Sequence, residues 1–352
     1  MKVLYFGPIT AKGAPSIGGY EAANRKNIDA LEKRGIEVVE FPNPKINKRF
    51  GNLGKLAYFK LFLTPFALFK YMGKKDVIVH ATPLYGNILA YPVNLLYLIA
   101  KCLHIPVISD IRAGSFIYYW EHKGWMTRWS LKHLLIDSNH ITVEGSSYIS
   151  KFNDIVNHKC PISYFPNLAD CKDLKFVEKD VSKINLFYFG RITLNKGIDI
   201  ILETIHLLDS RFCLYMAGSI ANDVDKSLLD NDDRVNYLGV LNASQLREVM
   251  KKMHIFIFPT HHIGEGQANS LIEAMAEGLI PVTSNQGFCA EVVADCGEVL
   301  KLDSTANDYK NAILKIASSD INKLSFKCQE HIIEAHNVDV EINNLIKIYQ
   351  TL

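Results

Sequence analysis

Short apolar runs alternate with stretches of helical periodicity along this chain, and the pattern begins twice. Runs of three to six mostly apolar residues are too short for buried helices, and between helical stretches they read as parallel strands covered on both faces. In the first half these are Val3–Phe6, Ile36–Phe41, Val77–His80, Val107–Asp110 and Ile141–Val143. An amphipathic helix over Tyr20–Arg34 stops at Gly35. The second half repeats the order with strands at Ile184–Phe189, Phe212–Met216, Val235–Tyr237, Ile255–Phe258 and Pro281–Thr283, and a helix over Gly197–Leu208. A chain of 352 residues accommodates two such domains. The boundary falls near Tyr164-Phe-Pro-Asn167 and the charged stretch Asp170–Lys183, giving domains 1–168 and 169–336. The expected fold is α/β: two Rossmann-like, doubly wound domains facing across a cleft. Ligands of open α/β sheets bind beyond the carboxyl ends of the strands, so the loops there should carry the chemistry.

Composition narrows the setting. The seven cysteines are odd in number and form no C-x-x-C pair, which argues for reduced thiols in the cytoplasm and against a zinc site. The amino terminus has too short an apolar run for a signal peptide. Residues 1–175 carry a net charge of +10 and the remainder −8, so the two halves should face different partners, the first of them anionic.

Three loops carry candidate chemistry. Gly18 and Gly19, between the first strand and its helix, let backbone amides approach a phosphate, although a plain turn would use the same residues. Neither the glycine spacing nor the strand context of a dinucleotide site is met, which disfavours NAD. After the strand Ile184–Phe189, Arg191 and Lys196 can converge on a diphosphate, one as a fork of donors and the other as a point charge. After Ile255–Phe258 comes Glu265-Gly-Gln-Ala-Asn-Ser-Leu-Ile-Glu273. Here Glu265 and Gly266 lie in a loop, and a helix begins near Asn269. Amides around Asn269, Ser270 and Leu271 can bind an anion, and Glu273 falls in the first turn. Ser270 and Glu273 also fit a capping box, but a cap does not require a second carboxylate eight residues earlier.

Taken together, the paired glutamates, the Gly-Arg-x4-Lys-Gly element, the Gly-Gly loop, Phe165-Pro-Asn167 and Glu273-Ala-Met-Ala-Glu-Gly-Leu-Ile-Pro-Val282 resemble glycosyltransferase family 4. The resemblance runs from Val3 to Tyr349, and a last helix over about 337–352 is expected to pack back on the first domain. It implies the GT-B fold and transfer of a hexose-type sugar, with retention, from a UDP- or GDP-sugar to an acceptor hydroxyl. Arg191 and Lys196 would neutralise the leaving diphosphate, while Glu265 would contact the sugar near its reacting carbon. Glu273 would take the ribose hydroxyls, and Gly18 and Gly19 would close over the donor. No cofactor or metal is expected. Two departures stand out: Gln267-Ala268 replaces the commoner Phe-Gly, and Arg112 stands where many members carry a histidine. Asp110 and Arg112 are therefore candidate cleft or acceptor residues, as is His80, which can equally just finish its strand.

The acceptor is read from the basic half. No acidic residue occurs from Asn43 to Lys75, and Lys45, Lys48, Arg49, Lys55 and Lys60 alternate with aromatics. Trp120, Trp125 and Trp129 cluster further on. This pattern suits an interfacial surface on anionic lipid, although the aromatics could instead belong to the core. Nucleic acid is the rival, but no binding module for it is present. The expectation is a lipid-linked glycan acceptor in bacterial surface-polysaccharide synthesis, with the protein peripheral on the inner face of the cell membrane. Alternatives are a nucleotide-sugar epimerase of the same architecture and a non-catalytic nucleotide-sugar-binding scaffold.

Overall fold

The computed structural model describes residues 1–13, 19–43, 55–83, 90–112, 114–229 and 232–352. The chain divides into two compact units, Met1–Leu168 with Val338–Leu352, and Ala169–Asn337.

The first unit contains β1 (Lys2–Gly7), α1 (Gly19–Lys33), β2 (Glu37–Pro42), α2 (Lys55–Leu63), a 3-10 helix (Thr64–Tyr71), β3 (Val77–Ala81) and α3 (Ala90–Cys102). It continues through β4 (Val107–Ile111), α4 (Phe116–His122), α5 (Trp125–Ile136), β5 (His140–Val143), α6 (Ser147–Val156) and β6 (Ile162–Tyr164). All its strands are parallel, in the order β2-β1-β3-β4-β5-β6. β1 pairs with both β2 and β3, so the direction of winding reverses between β1 and β3. Right-handed crossovers then put α1 on one face of the sheet and α2, α3 and α5 on the other.

The second unit contains β7 (Ile184–Phe189), α7 (Ile198–Leu207), β8 (Phe212–Ala217), β9 (Val235–Tyr237), α8 (Ala243–Met250), β10 (Ile255–Phe258) and α9 (Asn269–Ala276). After these come β11 (Ile280–Ser284), α10 (Cys289–Val293), β12 (Glu298–Leu300), α11 (Ala306–Ala317) and α12 (Ile321–Ala335). Its parallel order is β12-β11-β10-β7-β8-β9, and the reversal lies between β7 and β10.

The last helix, α13 (Val338–Gln350), belongs to the first unit. Ile342, Leu345 and Tyr349 repeat at helical spacing and are buried in one cluster with Ile28 and Leu31 of α1. Each such side chain contributes about 1.5–3 kcal/mol when removed from water. Arg34 fixes the register by an ion pair to Asp339 at 2.6 Å and a hydrogen bond to Asn343 at 2.9 Å.

Two edge strands of three residues each, β6 and β12, were not read from the sequence.

Candidate functional site

Two loops of the second unit meet at its winding reversal. The loop after β7 runs from Gly190 to Gly197, and the loop after β10 from Pro259 to Gly266. They approach backbone to backbone. His261 N–H donates to Asn195 O at 2.9 Å, and a Cβ on Gly197, whose φ is +73°, would lie 2.2 Å from Pro259 O. Only glycine satisfies both that space and that dihedral. Asp223 pins the first loop from outside, accepting from Thr193 Oγ1 at 2.5 Å and Leu194 N at 3.1 Å. The hydrogen bond from Thr193 holds its carboxyl below the usual range.

This scaffold brings Lys196 and Glu265 into a direct ion pair between Nζ and Oε2. Thr260 Oγ1 donates to the same carboxylate oxygen at 3.0 Å and is itself fully buried. The Lys196 ammonium also sits 5.1 Å from the Phe258 ring centroid. Nearby His262 is held below the ordinary histidine range, first by burial and then by the positive charges of Lys196 and Arg191. Arg191 is exposed, its backbone fixed by the Tyr188 hydroxyl donating to its carbonyl at 2.7 Å. Behind Glu265, a Cβ on Gly287 (φ +58°) would lie 2.2 Å from Glu265 O, so a third loop, after β11, packs against the Glu265 backbone. Thr260, His262, Asp223 and Gly287 were not singled out from sequence; the signal for Thr260 and Gly287 was their place within three residues of a strand's carboxyl end.

The helix α9 corrects the sequence reading in two respects. Its N-cap is Ala268, without a side-chain cap, so Ser270 is the second helical residue and no Ser270–Glu273 capping box forms. Glu273 is the fifth helical residue, half-buried, one turn beyond Asn269. The Leu271 amide is not available to an anion, because it donates to Ala268 O at 3.0 Å, and its side chain is fully buried in the core. Asn269 and Ser270 stand ahead of that bond, in the first turn of α9. Ala268 has φ −69°, an ordinary conformation, so the site does not need the glycine commoner at this place.

In the first unit, His80, Asp110 and Arg112 are interior residues, where sequence placed them along an open cleft. His80 Nε2 faces Asp110 Oδ2 at 3.3 Å, and His80 Nδ1 faces the Tyr349 hydroxyl at 2.7 Å. Thr142 donates to Asp110 Oδ1 at 2.9 Å. Arg112 binds Asp110 and Asn167 and lies 4.7 Å from the Phe165 ring centroid, which gives Phe165 and Asn167 a shared role. Burial alone would raise the Asp110 pKa, but Arg112 and His80 keep it below the usual value. Among the described residues Arg112 Nη2 is buried without a hydrogen-bond partner. Gly19 opens α1, while Gly18 lies outside the described residues.

The basic half also has a defined surface. Lys45, Lys48 and Arg49 lie outside the described residues, and Lys55 is described only as the first residue of α2. Phe59, Leu63, Phe66, Phe69 and Met72 are each at least half exposed, so a core role does not account for them. A 3-10 helix has three residues per turn, which puts Phe66, Phe69 and Met72 on one outer stripe and Pro65 and Leu68 inside. Across α3, α5 presents Trp125 at 76% and Trp129 at 52% exposure, together with Arg128 and Lys132; Trp120 is half-buried. Among the described residues no helix is long and apolar enough to cross a membrane.

Residues 183–319 match the family model described as "Glycosyl transferases group 1". The chain is 22% identical over 233 residues to the uncharacterized glycosyltransferase YqgM of Bacillus subtilis, covering 63% of this chain and 64% of that protein. It is 23% identical over 339 residues to one chain of the human phosphatidylinositol N-acetylglucosaminyltransferase, covering 87% of this chain and 68% of that one. The matched stretch thus spans less than two thirds of the first of these relatives. HepE of Anabaena, solved in complex with UDP, superposes with a TM-score of 0.72 at 14% identity, over the whole of both chains. Two sheets each wound in both directions give this chain the GT-B fold, and its second unit carries a group 1 glycosyltransferase domain over residues 183–319.

Proposed function

We propose that this protein transfers a hexose-type sugar from a nucleoside-diphosphate sugar to an acceptor hydroxyl, with the diphosphate at the winding reversal of the second unit. The observation that carries this reading is the Lys196–Glu265 pair, held by Thr260 and set beside Arg191 and the amino end of α9. In the ligand-free molecule Lys196 is neutralised by Glu265. A diphosphate supplies the stronger anion, so Lys196 and Arg191 turn to it and Glu265 is released towards the sugar. The Asn269 and Ser270 amides and the helix dipole add to the stabilisation of the leaving group. Glu273, one turn along, takes the ribose hydroxyls.

Bond breaking gives an oxocarbenium-like sugar. The departing phosphate accepts the acceptor's proton on the same face, and the anomeric configuration is retained. Arg191, Lys196 and the amides meet the phosphate charge, so the reaction runs without a metal. UDP bound in the similarly folded HepE supports a nucleotide donor, here UDP or GDP.

The acceptor in this reading is a lipid-linked glycan of a surface polysaccharide, met by the protein lying on the inner face of the cell membrane. The exposed aromatic stripe, with Lys60, Lys70, Lys74, Arg128 and Lys132, supports an anionic lipid surface. The name of the human relative, which includes the lipid phosphatidylinositol, points the same way. The test offers the protein UDP-glucose, UDP-N-acetylglucosamine or GDP-mannose with a lipid-linked glycan extract, with and without EDTA. Acceptor-dependent release of UDP or GDP, insensitive to EDTA, is expected. Donor conversion without acceptor would instead support an epimerase, and no turnover a binding scaffold.

A further inference from the structure

In the second unit, β10 and β11 pair backbone to backbone only as far as Phe258, opposite Thr283. Pro259 follows, and it has no N–H with which to continue the ladder. Two hydroxyls of β11 extend the contact beyond that point. Thr283 Oγ1 donates to Phe258 O at 2.8 Å, and Ser284 Oγ donates to Thr260 O at 2.5 Å. Both residues are fully buried, as is Thr260. Phe258 O also accepts from Thr260 N at 2.9 Å, so the Thr260 backbone is fixed at its amide by its own strand and at its carbonyl by Ser284. Ser284 itself lies opposite Leu300 of β12, and the next amide, Asn285 N–H, donates to Leu300 O at 2.7 Å. Its hydroxyl therefore stands on a strand paired on both sides, which holds it more precisely than a loop would.

This anchorage bears on the site. Lys196 and Thr260 share Oε2 of Glu265, and in the reading above Lys196 turns to the diphosphate when the donor binds. Thr260 then stays behind to direct the carboxylate at the sugar. Its hydroxyl also accepts from the His262 amide at 3.3 Å, which restricts the side chain. The remaining freedom belongs to the backbone that carries it, and Ser284 removes that freedom. A displacement of about 1 Å in a reacting group can cost roughly a hundredfold in rate.

We infer that Ser284 is a positioning residue for sugar transfer, acting through Thr260 to set the direction of the Glu265 carboxylate. This rests on the donor reading above. Being fully buried, Ser284 acts without touching the substrate.

Ser284→Ala, Thr260→Val and the double variant are compared with the wild type, using whichever of UDP-glucose, UDP-N-acetylglucosamine and GDP-mannose the wild type turns over. All are assayed well below their melting transitions. Ser284→Ala should lower kcat about tenfold, with donor KM and nucleoside diphosphate affinity within about twofold of the wild type. The double variant should be slower than Thr260→Val by no more than about twofold, because both changes reach one carboxylate through one hydroxyl. A lowered melting temperature with unchanged kcat, or losses that multiply in the double variant, would overturn the inference. If Ser284→Ala does not fold, Ser284→Cys, close in shape and only a weak donor, is read by the same criteria.

A wild type that binds a nucleotide sugar without transferring it is read by calorimetry instead. Ser284→Ala should then lower the ratio of nucleotide-sugar to nucleoside diphosphate affinity, and an unchanged ratio would sink the idea. A wild type that binds none of these nucleotides would defeat the donor reading and this inference with it. Wild-type turnover with an unaffected Ser284→Ala would defeat the inference alone.

Discussion

The Tyr349 hydroxyl lies 2.7 Å from Nδ1 of His80, joining the last helix to the third strand across 269 residues of sequence. Asp110 can only accept at the other ring nitrogen, so Nε2 carries a proton, and in the neutral ring Nδ1 accepts from Tyr349. Tyr5 stacks on the same imidazole at 4.3 Å. Tyr349→Phe leaves Nδ1 buried and unsatisfied, and should destabilise the first unit by about 1–3 kcal/mol. Urea denaturation followed by probes in each unit checks this; a loss confined to the second unit would contradict it.

Lys196 and Glu265 separate donor binding from transfer. Glu265→Gln removes the carboxylate that competes for Lys196. Affinity for UDP or GDP should hold or rise, while transfer falls by about a hundredfold or more, in line with loss of a group that acts in the transition state. Parallel calorimetry and turnover would show it.

Glu273 separates a ligand contact from a cap. With Ala268 as the N-cap, Glu273→Ala removes no capping interaction. Nucleoside diphosphate affinity should fall about tenfold or more, the scale of a hydrogen bond to a charged group. Nucleoside-free stability should change by less than about 1 kcal/mol, below what loss of a cap typically costs. A drop in stability with unchanged affinity would make Glu273 a structural residue.

Much of the fold was legible because parallel strands covered on both faces must be apolar throughout. β7 and β10 match the sequence pattern residue for residue. The Lys196–Glu265 site was legible for a related reason: polar residues directly after strands fall at the carboxyl edge. What sequence could not supply was pairing at a distance. Nothing local marks His80 as the partner of Tyr349, or Thr260 as the donor that orients Glu265. Leu271 looked like a free amide because sequence does not show the bond it donates to Ala268 O, the carbonyl of an N-cap residue with no capping side chain. The outward stripe Phe66–Phe69–Met72 was hidden in a run of aromatics because its period is three, neither helical nor extended.

Lys179 adds a pH dependence. Its ammonium is buried against the carbonyls of Met253 at 2.6 Å, Gly278 at 3.0 Å and Glu277 at 3.2 Å, capping the end of α9. Burial lowers its pKa from 10.5 to about 8. Between those values this lysine binds more protons in the unfolded chain than in the folded one, so its contribution to stability rises with pH over that window. The full shift corresponds to roughly 3 kcal/mol. Above about pH 10 the buried tyrosines Tyr5, Tyr97 and Tyr188, whose pKa values burial raises, oppose the gain. Cys160 and Cys289, whose thiols burial pushes up to about 12, oppose this gain in any variant, so between pH 7.5 and 9.5 stability should change more favourably in the wild type than in Lys179→Met.

Nucleoside diphosphate binding at the β7–β10 reversal is the claim on which the rest depends. Thermal unfolding of the wild type, Lys196→Ala and Arg191→Ala with UDP and with GDP, in the presence of EDTA, tests it most directly. One of the two nucleotides should stabilise the wild type, by about 2.7 kcal/mol at a hundredfold excess over its Kd, and the stabilisation should shrink in both variants. No shift with either nucleotide, or an equal shift in all three proteins, would contradict the account.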